Sequence, residues 1–529
     1  MGSIMNYLKR QWFALSSGAI CFLWAFAGWL TVIPNQDILA DGIQAQSLLS
    51  DPRLVLSFPG QKHGGPLEYP ATLLAEALAP GNYFANAAIR PLLAFATGAL
   101  VALLFQTLFS RAPKWAFLAS IAVGPTIIHG LLGPAGNTVG VWWLQPNWDM
   151  AWLLTTAGSL VLARSLGIIG ETKERNDRAL VPLAGGILVG LGFFAHPAII
   201  ILIIPLLSLV LLRSTFRPRV YTLGILGAFV GVLPAFLSYV LNAGVNTWDP
   251  SHGAFISVDY YRTVGGAVLG LNGMSDYMTG LLPYGLGLAP STFLLNAGVQ
   301  SAIMWIFVMF VCLFSAASII RAIIRREPLK VGGAIATAWL VAMGTMLLFI
   351  TFVDPVWIYG AGLSILFWLS VGTVPMYFKV RWVGFAVTAG VIVIVGLSTF
   401  THNASFYSDF PARIKEKTEV MQNEMMVARA LKAAGAEFVF GSYYDAIPIG
   451  YASGRDLRTI TNHYNRFPLS PEEKERGQLR VAVNTNPNDP WGREALQTVL
   501  DLCQPLTTTY SNTLGGYGIF RCPSSAMEF

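Results

Sequence analysis

The chain has 529 residues, 54% of them hydrophobic and only 12% charged, with a formal net charge of +6 and a mean hydropathy of +0.56. A water-soluble domain typically carries about a quarter of its residues as charges, so this composition excludes an ordinary soluble protein and indicates a membrane protein.

A bilayer core about 30 Å thick takes roughly 20 apolar residues per helix. Runs of that length lie near 13–33, 87–109, 115–133, 148–165, 179–195, 197–213, 220–241, 299–320, 331–352, 356–376 and 382–400, so eleven spans are expected. The fifth and sixth are separated only by Phe194, Ala195, His196 and Pro197, and the proline favours a break there. The first run is too long for a signal peptide and no small-residue cleavage site follows it, so it reads as a mature helix.

With the amino terminus in the cytoplasm, alternate loops hold Lys9, Arg10, Arg111, Lys114, Arg164, Lys173, Arg175, Arg178, Arg213, Arg217, Arg219, Arg321, Arg325, Arg326, Lys330, Lys379 and Arg381. The opposite loops hold Arg53, Lys62 and Arg262, with Arg90 at a helix start. This asymmetry orients the chain and accounts for the basic pI, so no nucleic-acid partner is expected. The surrounding partner is membrane lipid.

Three segments then lie outside: the loops 34–86 and 242–298, and everything after about 401. Residues 1–400 are expected to form the transmembrane domain and 401–529 a soluble extracytoplasmic α/β domain. In the latter, residues 412–434 have helical periodicity, with Ile414, Val420, Met421, Met425, Ala428 and Leu431 near one face. AEFVFGS, DLRTIT, QLRVAV and GGYGIFRC read as strands, with a helix at REALQTVLDL. Cys503 and Cys522 lie outside, where an oxidising compartment permits a disulfide between them. Cys21 and Cys312 fall within spans, as small apolar residues.

No Walker loop, Rossmann glycine pattern, HExxH or paired CxxC occurs, and no metal site is expected. The chemistry-bearing residues gather in the first outside loop. Asp37 and Asp41 follow the first span by a few residues, and Ile38, Leu39, Ile43, Leu48 and Leu49 recur at helical intervals, as in a short helix along the membrane interface. SFPGQKHGG then makes a turn, and PLEYPATLLAEAL is a second amphipathic stretch carrying Glu68.

Such a loop suits transfer of a sugar from a polyprenyl phosphate, whose tail holds the reactive carbon at headgroup level. The leaving phosphate wants cations around it, and the acceptor hydroxyl wants a carboxylate base on the opposite face. Asp37 is the candidate base, with Asp41 beside it. Lys62, His63, Arg90 and Arg262 are the candidate donor-phosphate partners. Asp149, among Asn147 and Trp142, Trp143 and Trp148, is a candidate cavity residue; the tryptophans themselves read first as an interfacial belt. Tyr261, with Asp249, Asp259 and Tyr260, belongs to the other long loop, which would cover the donor or admit the acceptor. His129 and His196 read as packing residues.

Asp37, Gly42 and Ala45, followed by FPGQKHGGPLE, resemble the first extracytoplasmic loop of polytopic membrane glycosyltransferases with the GT-C fold. The branch is that of the protein O-mannosyltransferases and the lipid A aminoarabinose transferase, including bacterial members. The specific part is the turn Gly60, Gln61, Gly64, Gly65, Leu67 and Glu68. GLGFFAHP, GAFVGVLPAFLSYVLN and FGSYYDAIPIGYASGRDLRTI are looser echoes.

This resemblance implies a GT-C-like fold in the bacterial cytoplasmic membrane and an inverting transfer to a cell-envelope glycan, glycolipid or protein. It makes Asp37 the general base, Glu68 the acidic residue closing the turn, and Gln61 a residue of that turn. A divalent cation, Mg or Mn, has a place beside such a leaving phosphate, though no residue set reads as its site. Two departures stand out: His63 replaces an aromatic residue, and TFVDPVWIYG carries Asp354 where relatives place an arginine. The other readings are a transporter or flippase of a lipid-linked sugar, and a non-catalytic assembly subunit. Against the transporter, charges within the spans are nearly absent and no inverted repeat is evident.

Overall fold

A computed structural model describes residues 2–34, 36–50, 65–123, 146–168, 180–241, 297–352, 363–461, 467, 469–485, 492–506 and 516–527. The chain divides into two compact units. The first comprises Met1–Gly28, Arg90–Pro234 and Phe255–Asp409, and the second Trp29–Ile89, Ala235–Ala254 and Phe410–Phe529.

The helices in chain order are α1 (Gly2–Thr31), α2 (Gln36–Ser50), α3 (Tyr69–Leu78), α4 (Tyr83–Asn86), α5 (Arg90–Leu108), α6 (Lys114–Val123), α7 (Pro146–Leu166), α8 (Leu180–Ala195), α9 (Ile200–Arg213) and α10 (Pro218–Leu241). They continue as α11 (Ala297–Arg325), α12 (Val331–Phe352), α13 (Leu363–Thr373), α14 (Arg381–Ser408) and α15 (Phe410–Ala433). Among the described residues, five helices are long and apolar enough to cross a membrane, and five shorter apolar helices coincide with further expected spans. The chain is a multi-pass membrane protein. The break between α8 and α9 falls at His196 and Pro197: the His196 ring accepts from Ala198 N at 3.3 Å, capping a single 3₁₀ turn Pro197–Ile199.

In the first unit the helices approach closely through small residues. Ser17 donates to the Gly98 carbonyl at 2.7 Å, holding α1 to α5. Phe13, Phe105 and Phe117 form an aromatic cluster whose tightest pair stacks at 4.5 Å. Gly186 and Gly190 on α8 face the backbone of α10 at Gly224 and Ala228, where any Cβ would collide with main-chain oxygen. In lipid, where apolar side chains gain little by leaving the solvent, backbone contact of this kind and dispersion hold helices together.

In the second unit the strands are β1 (Phe438–Gly441), β2 (Arg458–Thr461), β3 (Gln478–Asn484), β4 (Gln504–Pro505) and β5 (Tyr517–Pro523). They form one sheet in the order β2-β1-β3-β5-β4, with β2, β1 and β3 parallel and β5 antiparallel to β3 and β4. Helices α16 (Tyr443–Ala452), α17 (Pro471–Glu475) and α18 (Gly492–Leu502) connect them.

Side chains alternate across a strand, and both faces are apolar here. Phe438, Phe440, Val481, Val483 and Phe520 point to the side covered by Val499 of α18. Val439, Ala482 and Ile519 point to the side covered by Leu431 of α15 and Ile449 of α16. Each fully buried side chain of this kind contributes roughly 1.5–3 kcal/mol. Cys503 is bonded to Cys522, tying the end of α18 to β5.

Three elements are additions to the expected pattern: α16, α17 and β4. The α16 sequence YYDAIPIGYA carries Pro448 and Gly450, which read as turn signals. It is helical because Ser442 caps it, accepting from Asp445 N, and because Ala446, Ile447 and Tyr451 are buried. The helix expected in the first outside loop is present as α2. From Ile38 to Gln46, however, it is enclosed by protein on nearly all sides, whereas an interfacial helix would leave one face to lipid.

Candidate active site

The acidic residues of the first outside loop lie on α2 and α3 in the second unit. Asp37 sits in the first turn of α2, where the helix dipole favours a negative charge, and is 7% exposed. Asp41 follows one turn later on the same face and is 3% exposed. Tyr69, the first residue of α3, donates its hydroxyl to Asp41 Oδ1 at 3.1 Å.

Glu68 precedes Tyr69 and occupies the N-cap position of α3, with Pro70 following. Its backbone carbonyl takes the Ala71 and Thr72 amides. Its side chain caps nothing, is 2% exposed, and Oε2 has no hydrogen-bond partner among the described residues. Burial pushes the carboxyl up to about 8, so Glu68 is neutral at pH 7, the form with the smaller cost of burial. The loop thus carries two buried aspartates one turn apart on α2, a tyrosine hydroxyl on Asp41, and a neutral Glu68 next to that tyrosine in the chain.

A second set of polar residues lies on the same elements and on those packed against them. Glu76 on α3 is fully buried. It accepts from Gln46 Nε2 at 2.8 Å and from Gly81 N at 3.3 Å, and its other oxygen lies 2.7 Å from the Tyr451 hydroxyl oxygen. Leu39, Ala40, Tyr83, Met421, Ile447 and Tyr451 pack into one apolar cluster joining α2, α4, α15 and α16. Beside it Tyr83 donates its hydroxyl to Glu424, whose carboxyl burial raises to about 8. Lys417 donates to the Trp29 carbonyl at 2.6 Å and lies 4.4 Å from the centre of the Phe84 ring. Desolvation lowers its ammonium to about 7.

In the first unit, Arg90 and Asp149 are brought to each other. Arg90 Nε lies 2.9 Å from Asp149 Oδ2, with side chains 0% and 2% exposed. Trp148 is buried and stacks on His196 at 3.8 Å between ring centres, so His196 packs and caps as expected. Gln61, Lys62, His63, Tyr261, Arg262 and Asp354 lie outside the described residues. Among those described, no three His, Cys, Asp or Glu are arranged to hold a metal ion.

Glu76, Tyr69, Lys417, Glu424 and Tyr451 are absent from the sequence-derived candidates. The signal for Lys417 is a charged residue on the apolar side of an amphipathic helix; Glu76 carries none, because it shares its face of α3 with Tyr69 and Thr72 while Leu74 and Leu78 are exposed. Tyr69 and Tyr451 carry no such signal, because their partners come from other parts of the chain.

No protein-family model matches the sequence, and no curated protein matches it in sequence. Among solved structures the chain is similar to ArnT from Cupriavidus metallidurans bound to undecaprenyl phosphate, at 10% identity and a TM-score of 0.42, over 98% of this chain and 99% of that one. The apo state of the same protein gives 10% identity and a TM-score of 0.43 over the same shares. The oligosaccharyltransferase of Archaeoglobus fulgidus tethered with an acceptor peptide gives 15% identity and a TM-score of 0.42, over 86% of this chain and 64% of that one. At these scores the likeness bears on neither residue roles nor activity.

Proposed function

We propose that the chain is a membrane glycosyltransferase that moves a sugar from a polyprenyl-phosphate donor to a cell-envelope glycan, glycolipid or protein. The observation that carries this reading is the enclosed acidic group Asp37, Asp41 and Glu68, entered directly from the first span. In this reading residues 1–400 form the transmembrane domain, 401–529 the extracytoplasmic one, and the reaction runs at the outer face of the cytoplasmic membrane.

Asp37 takes the proton from the acceptor hydroxyl as that oxygen bonds to the anomeric carbon. The bond from that carbon to the phosphate breaks, and the phosphate leaves with the electron pair, so the configuration inverts. Glu68, neutral through burial, offers a hydrogen bond without a competing charge, and Asp41 is oriented by Tyr69. Arg90 is offset by Asp149, so Lys62, His63 and Arg262 are the residues that answer the phosphate charge.

The test is transfer of radiolabelled sugar from a panel of polyprenyl-phosphate sugars to envelope extract, with wild type and Asp37→Asn compared after matching their folding. Transfer that collapses by about 100-fold or more in the variant supports the reading and names the donor. Absence of transfer by the wild type from every donor refutes it and favours the transporter or the assembly subunit.

A further inference from the structure

The residues next to the two aspartates of α2 are both held from outside that helix. Ile38, beside Asp37, gives its carbonyl to Asn86 Nδ2 at 3.2 Å. Gly42, beside Asp41, lies against the ring of Tyr451, and a Cβ there would come within 2.8 Å of Tyr451 Cδ2 and 2.5 Å of Asn86 Nδ2. We propose that Tyr451 is a positioning residue for the acidic group, fixing the helix that carries Asp37 and Asp41 through Glu76 and the bare face of Gly42. Its kinetic consequence rests on the glycosyltransferase reading; the geometric part does not.

The hydrogen bonds define the joint. Tyr451 is fully buried, and its hydroxyl oxygen lies 2.7 Å from Glu76 Oε1 and 2.9 Å from the Asn82 carbonyl oxygen. A phenol has one proton, and two acceptor oxygens at such distances repel unless a proton lies between each pair. A neutral Glu76 resolves the count by donating to Tyr451, which donates to Asn82. The other Glu76 oxygen then accepts from Gln46 of α2 and from the Gly81 amide. Gln46 Nε2 also lies 3.4 Å from the Tyr451 carbonyl. One phenol and one carboxylic acid therefore join α2, α3, the turn before α4, and α16. A buried hydrogen-bonded network of this kind favours a single arrangement, and a catalytic carboxylate needs such a frame to hold its reach.

This assignment separates two glutamate variants. A glutamine at position 76 keeps a donor group and an acceptor oxygen, with one N–H more than a neutral acid has; an alanine offers neither. In the full chain, hydrogen exchange of the α2 amides is expected to quicken by about tenfold or more in Tyr451→Phe and Glu76→Ala, with β1, β3 and β5 unchanged as the folding control. Glu76→Gln is expected within about threefold of wild type. In transfer, Tyr451→Phe lowers kcat by about tenfold with the donor KM within about twofold, and Glu76→Gln keeps wild-type kinetics.

Unchanged α2 exchange in Tyr451→Phe, or exchange in Glu76→Gln as fast as in Glu76→Ala, overturns the proposal. Should Glu76→Ala fail to fold, the contrast between Tyr451→Phe and Glu76→Gln decides. A wild type without transfer overturns the glycosyltransferase reading alone, because the exchange readout needs no activity.

Discussion

Gly42→Ala adds one methyl group to the enclosed side of α2, and the structure says what it meets. The new Cβ would stand 2.5 Å from Asn86 Nδ2 and 2.8 Å from Tyr451 Cδ2, both inside the 3.0 Å below which real Cβ atoms essentially never approach other atoms. Neither neighbour yields readily. Asn86 is held by the Ile38 carbonyl, and Tyr451 by Glu76 and Asn82.

Overpacking of a fixed core costs typically 1–3 kcal/mol; the upper end applies where both contacts are anchored. Alanine returns about 1 kcal/mol over glycine in a helix interior, so the net loss is about 2 kcal/mol. Gly344→Ala and Gly390→Ala are the controls: both positions are helical, and nothing lies within 4 Å of either added Cβ. Thermal unfolding of the detergent-solubilised full chain, followed by tryptophan emission, should show a lower midpoint for Gly42→Ala and an equal or higher one for the controls. A Gly42→Ala midpoint equal to those of the controls would refute the steric argument.

Three further outcomes follow from the buried charges and the disulfide. Glu68 and Glu424, ordinarily near 4.5, are raised to about 8, so the folded chain holds more protons than the unfolded one between those values and stability falls as pH rises across that window. Lys417, lowered from 10.5 to about 7, acts in the opposite sense, and its contribution rises with pH above about 7. Midpoints measured from pH 5 to 9 should therefore flatten on the acid side in Glu68→Gln with Glu424→Gln, and lose the alkaline gain in Lys417→Met. Arg90→Ala strands the buried Asp149 carboxylate and should cost about 3–5 kcal/mol, whereas Arg90→Met with Asp149→Leu should recover most of it; denaturation of both in parallel checks this, and equal losses would count against the pair. Reducing Cys503–Cys522, which are 19 residues apart, should cost the sheet about 3 kcal/mol in loop entropy, read as faster amide exchange in β5.

Residues that act through local pattern were legible without coordinates. The apolar runs showed where helices form, since backbone groups in lipid are satisfied within the segment itself. His196 and Pro197 marked the break between α8 and α9. The alternation in QLRVAV and GGYGIFRC marked β3 and β5, and the two outer cysteines pointed to the bridge that joins them.

The tertiary structure decided what no local pattern encodes. Helix α16 forms despite Pro448 and Gly450 because its apolar side is buried, which outweighs a propensity cost of a few kcal/mol. That helix carries Tyr451 to Glu76 across 375 residues of chain, and together they enclose α2, which its own sequence presents as an interfacial helix. The raised carboxyls of Glu68 and Glu76 and the lowered ammonium of Lys417 have the same origin. Sequence lists which groups can ionise; only packing removes them from water, and the cost of desolvating a charge then sets the form each one takes.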